Sequence, residues 1–437
     1  MKTNVKLKDT ARTHEGGQSV TLPAAKELRR TVMANMLWED QFYESGKSSA
    51  DRIKELVKKV SFEDAAQIAI DAREKFKLRH VPLLITRELL RNHSGRKVGD
   101  LVARVIQRPD ECGELLALYW NDGKDQPLSS QLKIGLARAL KKFNEYQLAK
   151  WNKGGAVKLR DVLFLSHAKP KDDEQAALFK KLTDKALETP DTWEVALSGG
   201  ADKKETFERL MGEQKLGALA LLRNLRGMIE VGVAEDKIRL ALATMKAERV
   251  LPFRFITAAR YAPRLEDALE QAMFKCLAEL PKLGGKTALL IDHSGSMNAP
   301  VSAKSEVLRF DAACGLGMIL RECAERVRVF TFATGTVEVA PRRGFALAQA
   351  SLQSMPWGGT ALRQAVDYVY REFPECDRLI VITDEQSADR PKQPQGRGYI
   401  VNVGAYQNGI GYGPWVTIDG WSEAILAYIQ ESESEGN

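Results

Sequence analysis

The hydrophobic pattern of this 437-residue chain changes near residue 281, and this change constrains the fold more than any other feature. Before it, apolar residues recur every three or four positions, as in 129–143, 216–229 and 265–280, which is typical of amphipathic helices. After the Pro281–Gly285 segment, short apolar runs alternate with helical stretches. The sequence therefore predicts two domains, a helical one over 1–284 and an α/β one over 285–437.

The helical part contains about a dozen short helices, separated by breaks about every 20 residues. Several breaks combine Pro or Gly with Asp or Asn, and Ser61, Asp110 and Asp191 are predicted helix N-caps. No strict repeat is visible in the sequence. So many short helices nevertheless favour the stacked helical pairs of a degenerate solenoid.

The α/β part has four apolar runs that predict strands, at 287–291, 327–333, 379–383 and 399–403. Helices are predicted at 309–324, 345–355, 361–373 and 422–430. This alternation predicts a parallel, doubly wound sheet with helices on both faces.

Oxygen-bearing side chains follow two of these buried strands. Asp292, Ser294 and Ser296 form a D-x-S-x-S motif after the first strand, Thr360 precedes a helix, and Asp384 follows the third strand. An all-oxygen ligand set suits Mg²⁺ or Mn²⁺, and the carboxyl edge of such a sheet is where ligands bind. Alternatively, the aspartate caps a helix and the serines satisfy loop amides, or a metal only stabilises the domain.

The three motif elements, in this order, resemble the metal-ion-dependent adhesion site of von Willebrand factor A domains, over about 150 residues from Lys286 onward. The resemblance implies that Ser294, Ser296 and Thr360 bind the metal directly. It implies that the two aspartates act directly or through water.

Charge is distributed unevenly along the chain. Residues 1–285 carry 51 Lys and Arg against 40 Asp and Glu, whereas residues 286–437 carry 14 against 18. A basic first part suggests a polyanion such as nucleic acid as its partner, although a solvated lysine-rich surface gives the same charge.

The densest basic segment runs from Lys141 to Lys171, with Trp151 and His167 interleaved. Cations there can neutralise phosphates, and planar side chains can stack on unpaired bases. The candidate RNA-binding residues are Lys141, Lys142, Lys150, Lys153, Lys158, Arg160, His167 and Lys169. A second basic group comprises Arg79, His80, Arg87, Arg91, His93, Arg96 and Lys97.

Four segments resemble the TROVE module: His14–Gly17, Trp38–Tyr43, Leu78–Leu84 and, most specifically, Arg160–Pro170. A TROVE module followed by a von Willebrand A domain is the order of the Ro autoantigen family and its bacterial relatives. The resemblance implies a ring of HEAT-like repeats whose basic hole takes single-stranded ends of misfolded noncoding RNA. It further implies an outer surface for Y RNA, which can tether an exoribonuclease, and His167 matches the family motif.

Other classes of protein fit the sequence less well. No apolar run reaches the roughly 18 residues of a membrane span, Met1–Thr10 lacks the apolar core of a signal peptide, and five scattered cysteines predict a reducing cytoplasm. No Ser–His–Asp array is evident, so we expect a monomeric, non-enzymatic RNA-binding protein without a DNA partner. The alternatives are a metal-dependent protein-interaction scaffold and a metal-dependent nuclease.

Overall fold

A computed structural model of the chain describes residues 23–32, 46–93, 98–120, 127–152, 156–246, 250, 253–278, 280, 282–301, 307–387, 389–404, 414–420 and 424–434. The structure forms two compact units. Residues 27–32 and 50–206 form a helical unit, and the other, the sheet-bearing unit, is built on residues 207–437.

The helical unit is made of short helices joined by brief turns. Its helices are α1 (Ala24–Val32), α2 (Gly46–Lys59), α3 (Phe62–Glu74), α4 (His80–Asn92), α5 (Val98–Val105), α6 (Pro109–Tyr119), α7 (Ser130–Leu140), α8 (Glu145–Trp151), α9 (Leu159–Ser166), α10 (Asp173–Thr183) and α11 (Trp193–Ser198). The next helix, α12 (Lys203–Gly212), crosses from this unit into the other.

Local capping explains where several helices begin. Ser61 caps α3 as predicted, since its hydroxyl oxygen accepts a hydrogen bond from the Asp64 amide at 3.1 Å. The other two predicted caps are displaced. Helix α6 begins at Pro109, which places Asp110 inside its first turn, and Thr192 rather than Asp191 caps α11.

A buried ion pair ties α3 to α6. The Arg73 guanidinium donates to Glu111 at 2.5 Å, and the Glu111 side chain is fully buried. Its other carboxylate oxygen accepts from the amides of Gln107 and Arg108, at 2.8 and 3.0 Å. Glu111 therefore accepts hydrogen bonds from the backbone amides at the start of α6 and also neutralises the buried Arg73 guanidinium.

The sheet-bearing unit continues with helices and then changes to strands. Its helices are α13 (Ala218–Glu230), α14 (Glu235–Thr244), α15 (Phe253–Tyr261), α16 (Glu266–Ala278), α17 (Arg309–Cys323), α18 (Gly344–Leu352), α19 (Leu362–Glu372) and α20 (Ala424–Ser434). Its strands are β1 (Leu283–Asp292), β2 (Ala324–Phe332), β3 (Thr336–Glu338), β4 (Arg378–Thr383), β5 (Arg397–Asn402) and β6 (Val416–Asp419).

The strands form one sheet in the order β3-β2-β1-β4-β5-β6, parallel except for the antiparallel edge strand β3. The strand order reverses between β1 and β4, and ligands bind at such a switch point in doubly wound sheets. Alternate residues of β1 face opposite layers: Leu290 joins the core under α19, whereas Ile291 packs on Gly317 of α17.

The predicted fold class, helices followed by a doubly wound sheet, is confirmed, and all four predicted strands are present. The change to strands falls between Ala278 and Leu283. The division into domains at 284/285 and closure of the helices into a ring stay predictions. Among the described helices, none is long and apolar enough to cross a membrane.

Candidate metal site and candidate nucleic-acid surface

The three predicted metal-binding elements meet at the sheet's switch point. Asp292 ends β1, and Asp384 directly follows β4, its neighbour in the sheet. The loop before α19 lies against the first motif, because the Gly295 amide donates to the Gly358 carbonyl at 2.8 Å. Thr360 follows in this loop, half-buried, and its carbonyl accepts from the Ser387 hydroxyl at 2.7 Å.

Asp292 is held by hydrogen bonds to both of its carboxylate oxygens. The Ser294 amide donates to one at 2.8 Å, and the Thr383 hydroxyl donates to the other at 2.5 Å. Complete burial, together with the nearby negative charge of Asp384, raises the pKa of Asp292 well above its usual range. Two buried carboxylates at one sheet edge favour a compensating cation.

Arg309 supplies one such cation from within the chain. Its buried guanidinium lies 3.1 Å from an oxygen of Asp384 and 3.3 Å from the Ser296 carbonyl. Because Arg309 is the first residue of α17, the packing of that helix on β1 brings the positive charge to the site. Arg309 therefore offsets part of the negative charge of the two aspartates.

The hydroxyl ligands fit a small divalent cation. The Ser294 and Ser296 Oγ atoms lie 3.2 Å apart. Neighbouring oxygens in an octahedral Mg²⁺ shell, with bonds of about 2.1 Å, are about 3 Å apart. No three His, Cys, Asp or Glu side chains come together as a metal site within the described ranges. A metal here would therefore depend on Ser and Thr oxygens besides the two carboxylates.

An aromatic stack lies beside the candidate metal site, and the sequence reasoning missed it. The rings of His293 and Trp357 stack with centroids 4.1 Å apart, and Phe310 meets both edge-on. His293 and Phe310 are buried, whereas Trp357 keeps 36% of its surface exposed. The loop that carries Thr360 thus presents an indole to solvent.

In the basic segment, α9 carries an exposed row of cationic and aromatic side chains. Arg160, Phe164 and His167 are spaced by four and three residues, so they share one side of the helix. All three are exposed, and Phe164 exposes 59% of its surface. Sequence reasoning missed Phe164 because it assigned apolar residues of helices to the core.

His167 ends this helix in an unusual backbone conformation. Its φ and ψ angles are +52° and +40°, the left-handed region, and its amide donates to the Phe164 carbonyl at 3.1 Å. Few residues other than glycine adopt this conformation, although His, Asn and Asp do so more often than most. The turn directs the chain away from α9 and leaves the imidazole exposed.

The other predicted RNA-binding residues have different surroundings. The Lys142 ammonium donates to the carbonyls of Ala103, at 2.5 Å, and Ile106, at the C-terminal end of α5. Burial lowers its pKa. Lys142 is thus part of the helix packing, where the negative end of the α5 dipole favours a cation.

Lys141 lines a groove of about 450 Å³ between α8 and α10, together with Lys171 and Lys181. Glu145 and Asp172 also line it, and Lys181 pairs with Glu145 at 2.7 Å. The charge of this groove is therefore mixed.

The remaining lysines of the set lie close to α8 and α9. The Lys150 ammonium is 5.6 Å from the ring of Tyr146, which is 51% exposed, and 5.8 Å from that of Trp151. Arg108 covers the Trp151 ring at 3.5 Å. Lys158 and Lys169 are exposed at the two ends of α9, and Lys153 lies outside the described residues.

The second basic group of the sequence is largely internal. Arg79 pairs with Asp110 at 2.8 Å and with Glu114. Arg87 is buried beside Glu88, and Arg91 donates to the Tyr119 carbonyl. In this group, Arg96 and Lys97 lie outside the described residues. Its arginines join α4 to α6, so the predicted clustering reflects packing between helices.

Comparison with known proteins finds similar proteins by family model, by sequence and by fold. The family model of the TROVE domain matches residues 183–282, a range that excludes the four segments on which the sequence resemblance rests. A segment of 89 residues is 34% identical to telomerase protein component 1 of Rattus norvegicus and covers 19% of this chain and 3% of that protein.

A longer segment of 192 residues is 25% identical to the RNA-binding protein RO60 of Caenorhabditis elegans and covers 38% of this chain and 30% of that protein. The matched segments therefore span less than a third of either relative. The crystal structure of the Deinococcus radiodurans Ro (RSR) protein is similar in fold, with a TM-score of 0.66 at 19% identity, over 92% of this chain and 98% of that one.

Proposed function

Because this chain belongs to the Ro-like TROVE proteins, we propose that it binds RNA through exposed cationic and aromatic side chains of its helical unit. The ligand in this proposal is a single-stranded end of a noncoding RNA, in RNA quality control or maturation. Binding occurs by charge and stacking, with little sequence preference.

The row on α9 carries this proposal. Phe164 exposes more than half of its surface between Arg160 and His167, an arrangement that provides a stacking surface flanked by cationic or ionisable groups. Base stacking would use the ring, and a backbone phosphate would pair with the Arg160 guanidinium beside it.

Binding of a fluorescently labelled single-stranded RNA to the full chain tests the proposal. We expect Phe164→Ala to weaken binding by about 1–3 kcal/mol, the range for one stacked base. Leu352→Ala is the matched control, because Leu352 is an apolar residue of similar exposure (49%) on α18. Absence of RNA binding by the unaltered chain at low salt would refute the proposal.

The same proposal extends to the protein's place in the cell. We propose that the protein is a monomeric, non-enzymatic component of a cytoplasmic ribonucleoprotein, with Y RNA and an exoribonuclease as further partners. Immunoprecipitation after crosslinking, followed by RNA sequencing, identifies the RNAs. Cleavage of RNA that is lost on Asp384→Asn would instead favour the metal-dependent nuclease.

A second candidate function is metal-dependent binding of a protein partner. The pair of hydroxyls in Ser294 and Ser296, beside two buried aspartates, favours it. In this proposal Ser294, Ser296 and Thr360 hold Mg²⁺ or Mn²⁺ directly, with Asp292 and Asp384 acting directly or through water. The bound cation supplies a position for an acidic side chain of the partner.

Metal binding can be measured without any partner. Titration with Mn²⁺, followed by electron paramagnetic resonance, should give one bound ion in the unaltered chain and none after Ser294→Ala with Ser296→Ala. Ser354→Ala is the control, since its hydroxyl contacts Thr331 within the same unit. Equal Mn²⁺ binding by all three proteins would refute this second candidate. Chelation should abolish partner binding and leave RNA binding intact.

A further inference from the structure

The aromatic stack beside the candidate metal site belongs to the same three backbone segments as the site itself. Each ring lies one to three residues from a residue of the site: His293 from Asp292, Phe310 from Arg309 and Trp357 from Thr360. The ring planes of His293 and Trp357 are 11° from parallel, so the imidazole covers one face of the indole. The exposed surface of Trp357 therefore lies on the rest of its side chain.

The indole is close to the hydroxyl groups that would hold a metal. Ser294 and Gly358 pair as a short parallel β-bridge, and Trp357 directly precedes Gly358. Paired residues lie about 4.8 Å apart and consecutive Cα atoms about 3.8 Å apart, which places the Trp357 backbone about 6 Å from that of Ser294. An extended peptide advances about 3.3 Å per residue. A partner side chain that reaches Ser294 therefore brings a residue one or two positions away to the indole.

The surface beside the bridge is formed by glycine backbone. Gly295 and Gly359 are both exposed. Among the described residues other than its chain neighbours, the closest atom to a Cβ built at Gly295 would be the Gly358 carbonyl oxygen, at 3.8 Å. Glycine permits close approach of another backbone. An extended polypeptide can therefore lie across this surface.

The charge of the surface favours a protein segment over a nucleic-acid strand. The segments 293–299 and 354–361 contain no Lys or Arg. Arg309 is buried and already lies against Asp384. A bound strand presents a phosphate at every nucleotide and relies on several cations, whereas one carboxylate can be held by a metal ion alone. These residues therefore suit a ligand with a single acidic group and an apolar neighbour.

We infer that Trp357 is the second contact of a two-point binding surface for a partner protein. The carboxylate of the partner binds the metal held by Ser294 and Ser296, and a large apolar or aromatic residue one or two positions away packs on the indole. This inference rests on the second candidate function, metal-dependent binding of a protein. It adds the residue that selects among acidic segments. Tryptophan is among the residues that contribute most to the affinity of protein interfaces.

Peptides of defined sequence test the inference with the full chain. Each immobilised peptide carries one Asp in a Gly-Ser background, and the positions within two residues of the Asp are varied one at a time. Fluorescently labelled protein is applied with Mg²⁺ or with EDTA. We expect binding that requires both the Asp and Mg²⁺, and that is about tenfold tighter when a neighbour is Phe, Trp or Leu than when it is Gly.

Variants of Trp357 identify the group that makes this distinction. Trp357→Ala should weaken binding of the best Phe-containing peptide about tenfold and change binding of the Gly-flanked peptide by less than about twofold, so that the preference disappears. Its Mn²⁺ binding, followed by electron paramagnetic resonance, should equal that of the unaltered chain, which separates loss of the indole from loss of the metal site. Trp357→Phe retains a ring and should recover most of the preference.

Leu352→Ala is the matched control, because it removes another exposed apolar side chain (49%) from the same unit, five residues earlier in the chain. It should leave the affinity for every peptide unchanged.

The outcomes separate this inference from the function on which it rests. Absence of Mg²⁺-dependent binding to every Asp peptide would refute the second candidate function and the inference with it. Mg²⁺-dependent binding without a preferred neighbour, or with a preference that Trp357→Ala keeps, would overturn the inference alone. The inference is also wrong if Trp357→Ala weakens Mg²⁺-dependent binding of a labelled single-stranded RNA and leaves peptide binding intact.

Discussion

Arg309 offers a sharp test of the candidate metal site. The variant Arg309→Met keeps most of the side-chain volume and removes the charge that lies 3.1 Å from Asp384. Two buried carboxylates, Asp292 and Asp384, would then lack this cation. Removing one partner of a buried ion pair costs about 3–5 kcal/mol, or roughly 6–20 °C in Tm for a unit of this size.

A divalent cation should reverse much of this loss. At an effective dielectric constant near 20, two unit charges about 4 Å apart interact by about 4 kcal/mol. Without the competing guanidinium, the site should therefore bind Mg²⁺ at least about tenfold more tightly. A ligand at 100 times its Kd stabilises the folded state by about 2.7 kcal/mol. Thermal unfolding followed by intrinsic tryptophan fluorescence, at pH 7.5 with EDTA or with Mg²⁺, measures both effects.

Arg378 provides the control in the same sheet. It is equally buried, pairs with Glu433 and lies at the opposite end of β4 from Asp384. Arg378→Met should destabilise the unit by a similar amount, but Mg²⁺ should not rescue it beyond the shift seen in the unaltered chain. The reasoning is refuted if Mg²⁺ shifts the Tm of the Arg309 and Arg378 variants equally.

Three further predictions concern the helical unit. Lys142→Met should lower the Tm, because two carbonyls at the end of α5 lose their hydrogen-bond donor, at a cost of about 1 kcal/mol each. Lys158→Met, the control, should leave the Tm unchanged. Equal Tm values for the two variants would contradict the prediction. Glu111→Gln should destabilise the unit by about 3 kcal/mol or more in urea unfolding, since Arg73 would remain buried without its counter-charge, and a loss below about 1 kcal/mol would contradict it. His167→Asn should weaken RNA binding but keep the Tm, because Asn tolerates a positive φ. His167→Val should weaken RNA binding and also lower the Tm. Unchanged RNA affinity in both variants would exclude a role for the imidazole.

Asp292 and Asp384, residues of the candidate metal site, could be placed from sequence because each lies in a local motif at the end of a strand. A buried apolar run predicts the strand, and the strand fixes which sheet edge receives Asp292 and Asp384. Arg309 could not be predicted in this way. It lies 75 residues from Asp384 in the chain, and only the packing of α17 on β1 brings the two together.

The same limit applies to the edges of the sheet. Strands β3 and β6 are three and four residues long, too short for an alternation of apolar and polar residues to stand out. Their place is set by pairing with β2 and β5. The core strands are longer and almost wholly buried, and their apolar runs are readable without any knowledge of partners.

The basic residues show most clearly why a high density of charge along the sequence does not locate a charged surface. The stretch from Lys141 to Lys171 is the densest in cations. However, the Lys142 ammonium donates a hydrogen bond to a carbonyl of α5, and the groove beside Lys141 is also lined by acidic residues. Arg79, Arg87 and Arg91 form a second dense group in the sequence, yet the packing of α4 near α6 pairs them with a carboxylate or with backbone carbonyls. An RNA-binding surface requires cations that share a face and lack acidic partners, and that condition depends on which helices touch. The slope of log K for RNA binding against log salt concentration measures the number of such cations, because it depends on how many phosphates the protein neutralises. Lysines that form hydrogen bonds within the fold do not contribute to it.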